Sequence, residues 1–264
     1  MGWQHFNGTV VNALTVALGG VVGLLLSGRM PARYQRIVLN ALGLMTIAIG
    51  VDAAVLEMGK VVGAYRTLVR GPETTYGARL AMVMIASLII GSLIGTGLRL
   101  HDRIERFGAW VHARFGSGEG GQRFAEGFLT ASVIFCVGPL TLLGCLENGS
   151  KGNPSYLYIK SALDGFCSLA LASTLGPGVL LSIVTIIILQ GGLSLLAVFA
   201  ADPLHPVSQS LMTCVGGVLM LGTACMILEI KKIPVADMLP SLFLPPAIIA
   251  LAGLWSPGLL TPGN

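Results

Sequence analysis

Several stretches of this chain are apolar for about the length that carries an α-helix across a bilayer. A helix rises about 1.5 Å per residue, so about 20 residues cover a hydrocarbon core about 30 Å thick. The stretches run approximately from Gly8 to Ser27, Val38 to Met58, Leu80 to Leu98, Gly127 to Leu146, Tyr156 to Leu175, Gly178 to Phe199, Val207 to Ile230 and Met238 to Trp255. The fifth differs from the others: Lys160 and Asp164 interrupt it, and Gly176-Pro177-Gly178 ends it abruptly. It reads either as a full span or as a re-entrant half helix buried against protein. The expected fold is an all-α polytopic membrane protein, a single transmembrane domain over 1–264 with seven to eight transmembrane helices.

Composition points the same way. Hydrophobic residues make up 54% of the 264, there are 36 glycines, charged residues fall to 11%, and the mean hydropathy is +0.82. A soluble body of this size carries about a quarter charged residues and could not cover its surface with so few. Nucleic-acid binding, a disordered chain, a secreted disulfide scaffold and a soluble nucleotide-dependent enzyme are all disfavoured. The net charge is +4, but the Lys and Arg residues fall almost entirely between apolar runs, where they read as topology determinants. With eight crossings, one side holds Arg29, Arg33, Arg36, Arg99, Arg103, Arg106, Arg114, Arg123, Lys231 and Lys232. The other holds Lys60, Arg66, Arg70, Arg79, Lys151 and Lys160. That ten-to-six bias in the same sixteen cations places both termini outside the cytoplasm.

Cys136, Cys145, Cys167, Cys214 and Cys225 lie in or beside apolar segments without C-x-x-C spacing, which implies buried thiols and neither a disulfide framework nor a zinc site. No H-E-x-x-H, nucleophile elbow or P-loop is present, so no enzyme, cofactor or metal is expected. The amino terminus reads as a retained first helix, because a basic loop rather than a small-residue cleavage site follows the first apolar run. Between residues 100 and 126, Ile104, Phe107, Trp110, Val111 and Phe115 recur at near-helical spacing opposite Arg103, Arg106 and Arg114. This predicts an amphipathic helix lying on the headgroups, with Gly116 to Gly121 as a linker.

The chain also resembles itself. Gly8, Gly19-Gly20, Gln35, Gly43, Gly50 and Glu57 find counterparts in Gly178, Gly191-Gly192, Gln209, Gly217, Gly222 and Glu229. Two readings stand: chance alignment of glycine-rich helices, or repeat units 8–58 and 178–230. An offset of five spans would make the two copies face opposite ways, as in the inverted repeats of many secondary transporters.

Polar groups inside apolar runs are the candidates for chemistry. An ionised Asp at a bilayer centre costs about 2.5–3.5 kcal/mol on insertion scales, which singles out Asp164. On a helix, Ser161, Asp164 and Ser168 share a face, and Lys160 lies one turn before Asp164. The carboxylate can coordinate a cation through oxygens or exchange a proton; equally, it can form a buried pair with Lys160 or cap a helix. Asn12, with Thr9 on its face, and Gln190 either line a polar path or bond helix to helix. Gly138-Pro139, just before Thr141, breaks the fourth segment, and a broken span exposes backbone partial charges that can bind an ion. Asp52, Glu57 and Glu229 lie nearer helix ends and read as solvated.

Gly8-Thr9-Val10-Val11-Asn12-Ala13 leading to Gly19-Gly20 and Gly23, then Asn40-Ala41-Leu42-Gly43, Phe135-Cys136-Val137-Gly138-Pro139-Leu140-Thr141, Lys160-Ser161-Ala162-Leu163-Asp164-Gly165 and Gln190-Gly191, resemble together the YqgA-like bacterial inner-membrane family along nearly the whole chain. The resemblance implies a bacterial cytoplasmic (inner) membrane location and a transport role, with no catalytic residue or substrate to carry over. The expected function is therefore a transporter or channel for a small ion or solute, with Asp164, Ser161, Ser168, Thr141, Gly138, Pro139, Asn12 and Gln190 at its site. The alternative is a non-transporting membrane scaffold or accessory subunit. Expected partners are the lipid bilayer, a small ion or solute and, through glycine-rich faces, a second copy of the chain; nucleic acid is not among them.

Overall fold

A computed structural model describes residues 3–27, 31–68, 75–103, 106, 110, 119–136, 139–200, 205–255 and 260–261. Among these, all regular structure is helical. The principal helices are α1 (Asn7–Leu25), α2 (Ala32–Val51), α3 (Glu57–Tyr65), α4 (Tyr76–Gly97), α5 (Glu119–Cys136) and α6 (Pro139–Lys151). They continue with α7 (Ser155–Leu175), α8 (Gly178–Ala200), α9 (Pro206–Ile227), the short α10 (Val235–Met238) and α11 (Leu244–Trp255). A π-turn, Asp52–Leu56, joins α2 to α3, and a 3-10 turn, Leu239–Phe243, joins α10 to α11.

Among the described residues six helical segments are long and apolar enough to cross a membrane: Asn7–Leu25, Arg36–Tyr65, Tyr76–Gly97, Gly178–Val198, Pro206–Ile227 and Val235–Leu254. A seventh arises if Glu126–Cys136 and Leu140–Lys151, inclined at 56° to each other, form one bent span. The stretch from Tyr156 to Leu175 lies within a continuous helix of 21 residues; Lys160 and Asp164 do not break it, but it is not among the six. Of the expected amphipathic loop, Ile104, Phe107, Val111, Arg114 and Phe115 lie outside the described residues, Trp110 is exposed, and Glu119 to Gly121 form the first turn of α5.

The helices carry small and polar residues inward and large apolar ones outward. On α1, Thr9, Asn12, Ala13, Val16, Gly20 and Gly23 are buried while Leu14, Leu18, Val21 and Leu25 are exposed. On α4, Ser87, Gly91 and Gly95 are buried while Met82, Ile85, Ile89 and Leu93 are exposed. Water would reverse that arrangement; hydrocarbon solvates the large side chains and leaves close packing of small ones to hold helices together.

The chain divides into two compact units. The first comprises Met1–Leu44, Asp102–Asp202 and Ile227–Ile230; the second comprises Met45–His101, Pro203–Met226 and Lys231–Asn264. In the first, α1 and α7 run parallel, with Gly8 against Leu157, Gly19 against Gly165 and Gly23 against Leu169. A β-carbon on Gly19 would fall inside the Gly165 carbonyl and 2.7 Å from Ser168 Oγ, so only glycine permits this approach. Val16, Ala131, Phe135, Cys167, Val179 and Ile186 fill the core.

In the second unit, Gly91 and Gly95 of α4 press on the backbone of Ser241 and Asp237. Gly217 of α9 meets the carbonyl of Gly50 and the backbone nitrogen of Ala54, and the π-turn begins at this crossing, where the helical ladder is displaced by the neighbouring backbone. Val61, Tyr76, Leu80, Val83, Val207, Leu211, Ile249 and Leu260 form its core.

Candidate functional site

Inside the first unit, α7 presents Lys160, Ser161, Asp164 and Ser168 away from solvent. Lys160 is 4% exposed and Asp164 5%. One helical turn separates them, and the Lys160 ammonium forms an ion pair with Asp164 Oδ2. Asn12, fully buried on α1, donates from Nδ2 to the same oxygen at 3.0 Å. The parallel docking of α1 on α7 sets this contact, since the glycine stripe brings the two backbones close enough for a short amide to reach across. Both hydrogen bonds fall on Oδ2; among the described residues no donor reaches Oδ1.

The neighbouring hydroxyls do not join the carboxylate. Ser161 Oγ donates to the Leu157 carbonyl at 2.6 Å, and Ser168 Oγ donates to the carbonyl of Val16 on α1 at 2.8 Å. Both are helix-to-backbone bonds, of the kind Ser and Thr make in apolar helices. Ser161, Asp164 and Ser168 are all buried on α7, and the groups that reach Asp164 are the Lys160 ammonium and, from α1, the Asn12 amide.

The bend between α5 and α6 has a chemical consequence. Pro139 has no N–H, so the carbonyl four residues earlier, Phe135, loses its helical partner. Thr141 Oγ1 donates to it at 3.1 Å and Gln190 Nε2, from α8, reaches it at 3.5 Å. Gly138 lies outside the described residues, and of Pro139 only the backbone is described. The bend packs on the helices that carry the pair: Gly144 of α6 meets Leu157, one turn before Ser161, and Phe135 of α5 shares a core with Val16 of α1 and Cys167 of α7. The ion pair and the helix bend are thus parts of one region, built from α1, α5, α6, α7 and α8.

Two further members were not picked out by sequence reasoning. Asn148, fully buried on α6, donates from Nδ2 to the Gln4 carbonyl at 3.3 Å, and its Oδ1 lies 3.0 Å from where a β-carbon on Gly8 would stand. It lies just past Leu146, where the fourth apolar stretch ends, yet helix α6 continues beyond it to Lys151. Ser194 sits one turn beyond Gln190, beside Cys145, whose Sγ donates to the Gln190 carbonyl at 3.5 Å. Thr9 completes the polar face of α1.

A pattern runs through the three buried amides. Asn12, Asn148 and Gln190 each direct the NH2 group to a carboxylate or carbonyl, which fixes their orientation. Each leaves its oxygen, Asn12 Oδ1, Asn148 Oδ1 and Gln190 Oε1, without a hydrogen-bond partner among the described residues, as are Thr9 Oγ1 and Ser194 Oγ. Buried acceptors without donors are uncommon and costly. Of the other acids singled out in the sequence, Asp52 and Glu229 are exposed, while Glu57 accepts from Ser210 at 3.0 Å and pairs with Lys60 at 3.3 Å near the surface of the second unit; Glu147, next to Asn148, pairs with Lys151 at 2.8 Å. Among the described residues no group of three or more His, Cys, Asp and Glu is placed to hold a metal ion.

Against known proteins, the family described as "Protein of unknown function (DUF554)" matches residues 7–250. The uncharacterized membrane protein YdfK of Bacillus subtilis (strain 168) is 31% identical over 242 residues, covering 92% of this chain and 95% of the relative. The uncharacterized protein YqgA of Escherichia coli (strain K12) is 29% identical over 251 residues, covering 94% and 98% respectively. No solved structure matches the chain.

Proposed function

The chain belongs to the DUF554 family of proteins of unknown function, and from that premise we propose that it is a transporter or channel for a small ion or solute in the bacterial cytoplasmic membrane. The observation that carries the reading is Asp164, a carboxylate held in the interior of an apolar unit against Lys160 and Asn12. It lies near a bent helix pair and buried oxygens that lack donors. A well-packed hydrophobic pair commonly holds helices together as well as a buried ion pair does, so the charges are surplus to folding. Charged groups inside membrane helices ordinarily mark an ion or solute path.

Read as an inverted repeat, 8–58 and 178–230 support this function. Its first helices, α1 and α8, run antiparallel within the first unit: Gly20 meets Leu180, while His5 Nδ1 bonds the carbonyl of Gly149, which lies against Ser194. Its second helices, α2 and α9, meet at Gly50 and Gly217 in the second unit. Asn12 and Gln190 then come from the first helix of either copy, the placement expected for a site between repeats.

The test is flux. Full-length protein in liposomes is assayed for uptake of sodium, rubidium, methylammonium and protons, for the wild type and the double variant Lys160→Met/Asp164→Leu. Loss of one flux in the double variant, with its fold intact, supports the reading; equal flux removes the pair from the mechanism. One observation favours a second reading, a non-transporting scaffold or accessory subunit: Oδ2 of Asp164 is already closed by Lys160 and Asn12. In that case the protein transports nothing and co-purifies in mild detergent at fixed stoichiometry with a partner.

A further inference from the structure

The buried acceptors of the first unit restrict what can bind there. Among the described residues five buried side-chain oxygens lack a hydrogen-bond partner: Thr9 Oγ1, Asn12 Oδ1, Asn148 Oδ1, Gln190 Oε1 and, beside Cys145, Ser194 Oγ. The three amides cannot turn over to offer nitrogen instead, because each NH2 already faces a carboxylate or carbonyl. Asp164 Oδ1 adds a further acceptor, carrying charge, that no donor among the described residues reaches. A ligand for this set must donate hydrogen bonds.

Charge narrows the choice further. Lys160 already shares the Asp164 carboxylate, so any cation bound here adds its charge to an apolar interior, and a monovalent ion adds half of what a divalent one does. An anion would face oxygens, the nearest cation being already paired with Asp164. The protein meanwhile displays on Oδ2 the chemistry it accepts: the ammonium head of Lys160 beside an amide N–H.

We propose that the buried oxygens of Thr9, Asn12, Asn148 and Gln190, with Asp164 Oδ1, form a binding site for an ammonium-type cation, either the ammonium ion or a short primary alkylammonium. The assignment rests on the reading of this region as a solute site. Four N–H bonds in a tetrahedral arrangement suit directional acceptors contributed by different helices, whereas a spherical metal ion calls for a closed shell of oxygens at one distance. Thr9 is the diagnostic residue: its hydroxyl has no partner among the described residues, so Thr9→Val removes an acceptor from the site and none of the described bonds from the protein.

The experiment uses the purified full-length protein at pH 7 and follows thermal unfolding in ammonium chloride against potassium chloride at equal ionic strength. The two cations are close in size and equal in charge, but only one donates hydrogen bonds. Ammonium is expected to raise the melting temperature with saturation, and potassium is not. Thr9→Val is expected to melt no lower than wild type without ligand and to bind ammonium about tenfold more weakly, the effect of losing one hydrogen bond to a charged group. Equal stabilisation by potassium, no stabilisation by ammonium, or wild-type ammonium affinity in Thr9→Val each overturns the proposal. The liposome assay separates this from the transport reading. Pair-dependent flux of sodium or rubidium without ammonium binding sinks the ammonium site alone; saturable ammonium binding without flux of any solute sinks transport alone.

Discussion

Replacing Lys160 or Asp164 singly is expected to harm the protein far more than replacing both. Asp164→Leu leaves the Lys160 ammonium 4% exposed with no carboxylate, and Lys160→Met leaves Asp164, 5% exposed, with one amide N–H at 3.0 Å. Removing one partner of a buried pair costs about 3–5 kcal/mol, because the survivor is an uncompensated charge in an apolar surrounding. The double variant Lys160→Met/Asp164→Leu leaves no charge and keeps the side chains about as large. It frees only the Asn12 NH2, at a cost of about 1–3 kcal/mol that recovered packing offsets in part. With about 2–4 °C per kcal/mol, each single variant should melt about 6–20 °C below wild type. The double variant should melt above both. The assay is thermal unfolding in one detergent, followed by tryptophan fluorescence and checked by size-exclusion chromatography. A double variant that loses the sum of the two single losses would refute the reasoning, since independent losses mean the two charges do not neutralise each other in the folded protein.

Gly19→Ala should destabilise the first unit beyond the helix-propensity gain of alanine, because its β-carbon overlaps the Gly165 carbonyl; Gly59→Ala, with nothing within 4 Å, is the control, and equal melting of the two would contradict the α1–α7 contact. Tyr76→Phe removes the donor that holds the Leu260 carbonyl at 3.1 Å and should cost about 1–3 kcal/mol, seen as faster proteolysis at the carboxyl terminus; unchanged proteolysis would argue against that anchor. His205, just ahead of α9, accepts the Val207 N–H through Nδ1 at 3.2 Å, and burial lowers its affinity for a proton below the ordinary value of 6.5. The folded state therefore binds fewer protons here than the unfolded one, so the cap is fully present above about pH 6.5 and is lost as pH falls below that value through the lower folded value. Stability should rise with pH across this window, and His205→Asn, a cap that does not titrate, should flatten the slope; an unchanged slope would exclude His205.

How the site assembles shows which parts of it a one-dimensional pattern can hold. Lys160 and Asp164 are one turn apart on one helix, so their pairing follows from local geometry. The Phe135 carbonyl is released by Pro139 through helical arithmetic alone, although that Gln190 helps to satisfy it from another helix does not follow from the sequence. Asn12 and Asp164 are 152 residues apart, and nothing along the chain pairs them. The expected hydroxyl ligands went elsewhere because close packing placed the Val16 carbonyl within 2.8 Å of Ser168, and a carbonyl that near takes the proton. Asn148 was hidden by the end of an apolar run, since hydropathy reports where lipid contact stops and is silent on where the helix stops.

Membrane residence and a wholly helical architecture were written in the chain itself, because the length of an apolar run and the need to satisfy every backbone N–H and C=O in hydrocarbon leave no other solution. The outward display of leucine and isoleucine, the inward glycines and the rarity of Asp164 belong to the same local account. Which helices touch, and at which register, was decided by tertiary structure. Those contacts depend on how two or three glycines fit against a distant backbone, a matter of sub-ångström overlap between segments that no hydropathy pattern relates.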